Sequence, residues 1–237
     1  MANKYFRFKK FTVRQEQASF KVTTDSVLLG AWAQIEDAGT ILDIGTGTGL
    51  LALMAAQRSS ARIVAIEPDN PSFRQALLNF ECSPWKKRIM LLNVSLQEFK
   101  PETGRGFDAI IVNPPYFIDS LLNPDNNRAR TRHTVTLSHT DLLEAVVRLL
   151  NPGGSLHLVL PVTGAEKFIT LAESYGFFCN RRMMVRPTPE KAPVRVLMTF
   201  GREDIPCNEE ELVIEKGGRQ IYSDEYVSLT KEFYLKF

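Results

Sequence analysis

Asn113-Pro114-Pro115-Tyr116 closes an apolar, β-branched run, Phe107 to Val112, and these residue types suit one kind of chemistry. The run reads as a strand buried on both faces. Two prolines cannot continue a sheet, and the first holds Asn113 extended. An amide side chain is thereby fixed at the C-terminal end of a buried parallel strand, where open α/β sheets bind ligands. The amide offers an acceptor and two donors, the prolines leave two carbonyls unpaired, and Tyr116 adds a flat face. That set fits a planar substrate bearing an exocyclic NH2. The same residues also read, without chemistry, as a strand ending in an ordinary Pro-rich turn.

A second group lies upstream. Asp43-Ile44-Gly45-Thr46-Gly47-Thr48-Gly49 falls between a short buried strand and a Leu/Ala/Met-rich helix, the setting a nucleotide-type site requires. Its glycines allow a tight turn and let a ligand approach without a Cβ in the way. The spacing is G-x-G-x-G, not the G-x-G-x-x-G of dinucleotide binders. No Lys-Ser/Thr follows, which excludes a phosphate-cradling P-loop. Glu67 ends the next strand and can accept hydrogen bonds from both hydroxyls of a ribose. Acid, glycine turn and ribose acid together describe an adenosine site that need not hold a pyrophosphate. S-adenosyl-L-methionine fits it.

These groups need a scaffold, and the chain supplies a familiar one. Strands are expected at 40–44, 62–66, 88–94, 107–112 and 155–160, with helices near 26–33, 50–57, 70–81, 141–150 and 164–175 between them. Alternation of this kind predicts an α/β fold. It is a doubly wound, mostly parallel, seven-stranded Rossmann-like sheet with helices on both faces and one antiparallel edge strand. Residues 177–185 and 194–200 supply the antiparallel pair. Residues 5–22 read as loop or short strand pairs, and 117–137 as a long polar loop. The 237 residues form one domain: a basic, cofactor-covering extension (1–35), the core sheet (36–201) and a packed tail (202–237).

Composition narrows the class further. Hydrophobic content of 44% and charged content of 24% are ordinary for a globular protein, and no apolar run reaches membrane-spanning length. Three widely spaced cysteines form neither a disulfide framework nor a metal pattern, which points to a reducing cytoplasm. Net charge is only +2, yet cations gather in three segments. These are Lys4 to Lys21 (with Lys9, Lys10 and Arg14), then Arg128, Arg130 and Arg132, then Arg181 to Arg195. Such clustering fits a directed phosphate-binding surface; chance clustering on a basic protein is the other reading. His139, His157, Trp32 and Trp85 read as cap or packing residues, and Asp141 as an acid in a first helical turn.

The combination resembles the class I S-adenosylmethionine-dependent methyltransferases, and within them the bacterial tRNA1(Val) (adenine(37)-N6)-methyltransferase family. The resemblance rests on Phe20 to Trp32, the Asp43 glycine turn, Ser83-Pro84-Trp85, Asn113 to Tyr116, Ala129-Arg130, Pro193 to Leu197 and the tail from Tyr222 to Leu235. It implies cofactor contacts from Asp43, Gly45, Gly47, Glu67 and Asn113, with Lys21, Thr24 and Asp25 near the methionine end. Asn113, Pro114, Pro115 and Tyr116 would hold the substrate base. A third-strand position that is commonly Asp in the family, against the cofactor's adenine, is Ser95 in this chain. Lys9, Lys10, Arg14, Arg128, Arg130 and Arg132 are the candidates for RNA phosphate. A tRNA substrate, no metal, no membrane and a monomer complete the expectation. Two rivals stay open: a release-factor glutamine-N5-methyltransferase and a non-catalytic RNA- or cofactor-binding protein.

Overall fold

The computed structural model describes residues 3–101, 106–114 and 137–236. Pro115, Tyr116, Arg128, Arg130, Arg132 and His133, and all of the 117–137 stretch except Leu137, lie outside them. In chain order the elements are β1 (Tyr5–Arg7), β2 (Thr12–Arg14), α1 (Thr24–Trp32), β3 (Thr40–Ile44), α2 (Leu50–Arg58), β4 (Arg62–Ile66), α3 (Asn70–Glu81), β5 (Ile89–Leu92), β6 (Phe107–Val112), α4 (His139–Leu149), β7 (Leu150–Pro161), α5 (Val162–Ser174), β8 (Phe178–Arg186), β9 (Arg195–Gly201), β10 (Asn208–Val213) and α6 (Asp224–Thr230). Helix starts follow local chemistry. Thr23 caps α1 and Asp69 caps α3, each through a side-chain oxygen. Ser138 and Asp141 form a reciprocal capping box on α4.

Eight strands make the main sheet, in the order β10-β8-β9-β7-β6-β3-β4-β5. β3 to β7 run parallel, with β9 antiparallel to both β7 and β8. Two details differ from the sequence expectation. There are eight strands, not seven, and the antiparallel strand is interior, because β10 adds beyond β8 as a parallel edge. β10 carries Glu209, Glu210 and Glu211, which in sequence look like a solvated charged run.

Its acids explain the third basic segment. Arg181 pairs with Glu210 (2.6 Å), Arg182 with Glu209 (2.6 Å) and Glu166 (3.1 Å), and Arg186 with Glu211. Arg195 pairs with Asp25 (2.7 Å). Arg181, Arg182 and Arg186 tie β8 to the edge strand β10, and Arg195 ties β9 to α1, so the phosphate-binding reading of these four arginines is corrected. Trp32 belongs to the same cluster: its indole donates to Glu210 (3.0 Å) and the Arg181 guanidinium lies over its ring.

Successive strand residues face opposite cores, as period-two geometry requires. Ile41, Ala109 and Ile111 pack toward α1, α2 and α3, and Leu42, Ile110 and Val112 toward α4 and α5. The β1–β2 hairpin rests on the C-terminal tail, where Phe6 and Phe8 meet Tyr234 and the Lys9 amide donates to the Phe233 carbonyl (2.8 Å). His157 is fully buried between Ser155 and Thr199, and burial drives its pKa down to about 3. It is a neutral structural residue.

Candidate active site

β3 pairs with β4 on one side and β6 on the other, aligning Ile44 with Ile66 and Val112. The residues that follow, Gly45, Glu67 and Asn113, therefore emerge side by side at the strands' C-terminal ends. The chain winds from β3 outward through β4 and β5, then returns to place β6 on the other flank. That reversal is the switch point at which open sheets bind ligands.

The glycine turn serves two purposes. Gly45, Gly47 and Gly49 have φ of +66°, +56° and +83°, a region other residues enter at a cost. A Cβ at Gly45 would meet nothing within 4 Å, and one at Gly47 only the Gly45 carbonyl at 4.0 Å. A Cβ at Gly49 would strike the Phe80 ring at 2.4 Å. The first two glycines keep a face open to a ligand, and the third lets α2 pack on α3.

Asp43 lies beneath this turn with no exposure. Its Oδ2 accepts from the Thr46 hydroxyl (2.5 Å) and the Ala52 amide (3.0 Å), capping α2 from a distance. Its Oδ1 is buried without a hydrogen-bond partner. Burial raises the pKa to about 7, against the two hydrogen bonds. A cationic or donor group of a ligand would complete this carboxylate. Glu67 accepts from the Gly47 amide through one oxygen (2.8 Å) and the Asp69 amide through the other (2.9 Å). Each oxygen keeps a lone pair, which suits two hydroxyls of a ribose. Burial raises its pKa as well.

Asn113 is half-buried, and its Nδ2 donates to Ser26 Oγ at 2.7 Å. Ser26 in turn lies 3.0 Å from the Thr23 hydroxyl. The amide oxygen has no partner among the described residues, so the acceptor end is the one available to a substrate amine.

Residues 14–23 form a strap along α3, held by a polar stripe on that helix. Asn79 accepts from the Arg14 amide (2.9 Å) and donates to the Arg14 and Thr48 carbonyls (2.8 Å each). Gln75 accepts from the Gln17 amide (3.1 Å), and Ser72 from the Ser19 amide (3.2 Å). Asp69 takes the Ser19 hydroxyl (3.1 Å). Sequence reading missed Ser26, Ser72, Gln75 and Asn79. Their only signal is a polar residue on nearly every turn of α3, which alone reads as a solvated face.

The strap sorts the remaining candidates. It carries Lys21 and leads into Thr24 and Asp25 at the start of α1, although the Asp25 carboxylate is already paired with Arg195. Arg14 sits near the C-terminal end of α3. Lys9 and Lys10 lie on the hairpin beyond it, where the Lys9 amine donates to the Lys231 carbonyl. α3 is about 18 Å long, so the structure does not bring these two lysines to the mouth of the site. Ser95 is buried at the end of β5, with its hydroxyl donating to Glu98 (2.7 Å) in a local turn.

Comparison with known proteins identifies the chain's relatives. The Methyltransferase small domain family model matches residues 10–177. A tRNA1(Val) (adenine(37)-N6)-methyltransferase of Bacteroides fragilis is 44% identical over 240 residues, covering all of both chains. One from Trichodesmium erythraeum is 42% identical with the same coverage. The chain belongs to the tRNA1(Val) (adenine(37)-N6)-methyltransferase family. Solved structures show the same fold at low identity. A predicted O-methyltransferase from Agrobacterium tumefaciens superposes with a TM-score of 0.67 at 19% identity, covering 88% of this chain and 96% of that one. The 16S rRNA N2 G1207 methyltransferase of T. thermophilus, solved with AdoMet and guanosine, gives 0.58 at 20% identity, covering 84% and 50%.

Membership in the tRNA1(Val) (adenine(37)-N6)-methyltransferase family makes the protein a methyltransferase whose cofactor is S-adenosyl-L-methionine. The residues present fit that group: an incomplete buried acid at Asp43, an open glycine face, and a carboxylate suited to a ribose at Glu67. Among the described residues no cluster of His, Cys, Asp or Glu could hold a metal ion, and no helix is long and apolar enough to cross a membrane.

Proposed function

We propose that this protein methylates the exocyclic N6 of adenine 37 in tRNA1(Val), the reaction printed in the names of its full-length relatives. The observation that carries the proposal is Asn113: an amide at a strand tip whose Nδ2 donates to Ser26 Oγ, leaving its oxygen without a partner among the described residues. When bound, S-adenosyl-L-methionine supplies an electrophilic methyl group on a sulfonium. Asp43, Gly45, Gly47 and Glu67 would hold it, with Lys21, Thr24 and Asp25 toward its methionine end and Ser95 toward its adenine.

The protein's part is to make a poor nucleophile attack. The adenine N6 lone pair is delocalised into the ring. Asn113 Oδ1 and the Pro114 carbonyl accept the two N6 hydrogens and so stabilise the positive charge that grows on nitrogen as it becomes tetrahedral. Tyr116, outside the described residues, is assigned to stack on the base and set the line of attack. No strong base is needed first, because the alkylated nitrogen is acidic and releases its proton to water. A base that must leave its stack does so at lower cost from a loop than from a duplex. Arg128, Arg130 and Arg132 remain candidates for RNA phosphate, and the enzyme is read as a cytoplasmic monomer.

Labelled methyl transfer tests the reading, with tRNA lacking the modification and a release factor assayed in parallel. N6-methyladenosine in the tRNA is expected. Label in the protein alone would assign glutamine methylation instead, and silence in both with the cofactor bound would leave a binding role.

A further inference from the structure

We infer that Phe20 is a stacking platform for the nucleobase next to the methylated adenine. The inference rests on the RNA substrate proposed above. Phe20 is 60% exposed and belongs to neither hydrophobic core. Among the described residues it has no aromatic partner. An exposed phenylalanine on a loose loop would mean little, but this one is held on both sides. The Ser19 amide and hydroxyl are bound by Ser72 and Asp69, and the Val22 amide donates to Gln15 Oε1 (2.9 Å). Thr23 then caps α1.

The location is specific. Asp69, which takes the Ser19 hydroxyl, donates its own amide to Glu67 (2.9 Å). Thr23 contacts Ser26, which holds Asn113 (2.7 Å). Residues 19–23 therefore bridge from the acid at the tip of β4 to the amide at the tip of β6. Five extended residues reach about 17 Å at most, so Phe20 and Lys21 lie beside the reacting position.

Charge chooses the partner. Glu16, an acid on the strap, is answered by Lys4 (3.1 Å), while Lys21, next to Phe20, is exposed with no ion pair among the described residues. A single strand alternates flat bases with phosphates, and an aromatic ring beside a cation is complementary to it. Withdrawing the target adenine from its stack uncovers one face of the neighbouring base, and Phe20 can cover that face.

Phe20→Ala and Phe20→Trp test this at fixed salt, with tRNA and cofactor dissociation constants measured separately and melting temperature as the folding control. Phe20→Ala should weaken tRNA binding about tenfold or more, the usual worth of one base–aromatic stack. Cofactor affinity and melting temperature should not change, and Phe20→Trp should bind tRNA at least as well as wild type. Wild-type tRNA affinity in Phe20→Ala would overturn the inference and leave the function standing. Weakened cofactor binding with tRNA affinity intact would also overturn it, placing the ring over the cofactor. A wild-type protein that neither binds nor methylates tRNA would overturn both.

Discussion

Nδ2 of Asn113 donates to Ser26 Oγ, which leaves the amide oxygen as the acceptor for the proposed substrate amine. If the amide rotated, an NH2 would face an NH2 and the attack would lose its acceptor. Ser26→Ala should therefore lower kcat about tenfold, the worth of one hydrogen bond of about 1.4 kcal/mol, while KM for tRNA and cofactor affinity hold. Ser26→Thr keeps the hydroxyl and should keep most of kcat. The Thr23 cap accepts from the Ser26 backbone and survives both changes, so a fall in kcat would not reflect loss of α1. Asn113→Ala should abolish turnover and leave cofactor affinity largely intact; a collapse of that affinity would assign Asn113 to cofactor binding and not to the substrate amine. Asn113 was legible because the two prolines and the tyrosine beside it are local signals. Ser26 was not, because it acts on a residue 87 positions away.

Along α3 the same difficulty spans a whole element. Its limits, its cap and its capping acid follow from local sequence, but its partner does not. Ser72, Gln75 and Asn79 are buried, which for polar side chains demands hydrogen-bonding partners. The partner is the backbone of the strap, which has no side-chain pattern to read. Asn79 makes two such bonds and a third to the Thr48 carbonyl, so Asn79→Ala should cost about 2–3 kcal/mol in chemical denaturation. Full activity should return at temperatures where the variant stays folded only if the strap finds its place without Asn79. β10 failed to read for the complementary reason. Three consecutive glutamates suggest solvent until the arginines of β8 and the indole of Trp32 are beside them.

Over the whole molecule, the doubly wound sheet was legible from alternating β-branched and helical segments, and both cores follow from strand periodicity. The eighth strand and the clasp between hairpin and tail were not, since each joins ends far apart in sequence. Two buried titratable groups give the molecule a testable pH response. Asp43 holds its proton up to about pH 7 when folded, against an ordinary value of 3.8. Its contribution is thus greatest below the unfolded pKa and is lost as pH rises toward 7, at up to about 1.4 kcal/mol per unit. His157 works in the opposite sense. Its pKa is about 3 folded and 6.5 ordinarily, so its stability is present above 6.5 and lost as pH falls. Between about pH 4 and 6.5 the two slopes oppose each other. Asp43→Asn should therefore lose stability on acidification more steeply than wild type in urea melts; parallel curves would mean Asp43 is ionised in the free protein. The most direct measurement is methyl transfer to an unmodified tRNA1(Val) transcript and to the same transcript with guanine at position 37, each digested to nucleosides. N6-methyladenosine in the first and none in the second is the expected result. Equal labelling of both transcripts, or label in any other nucleoside, would contradict it.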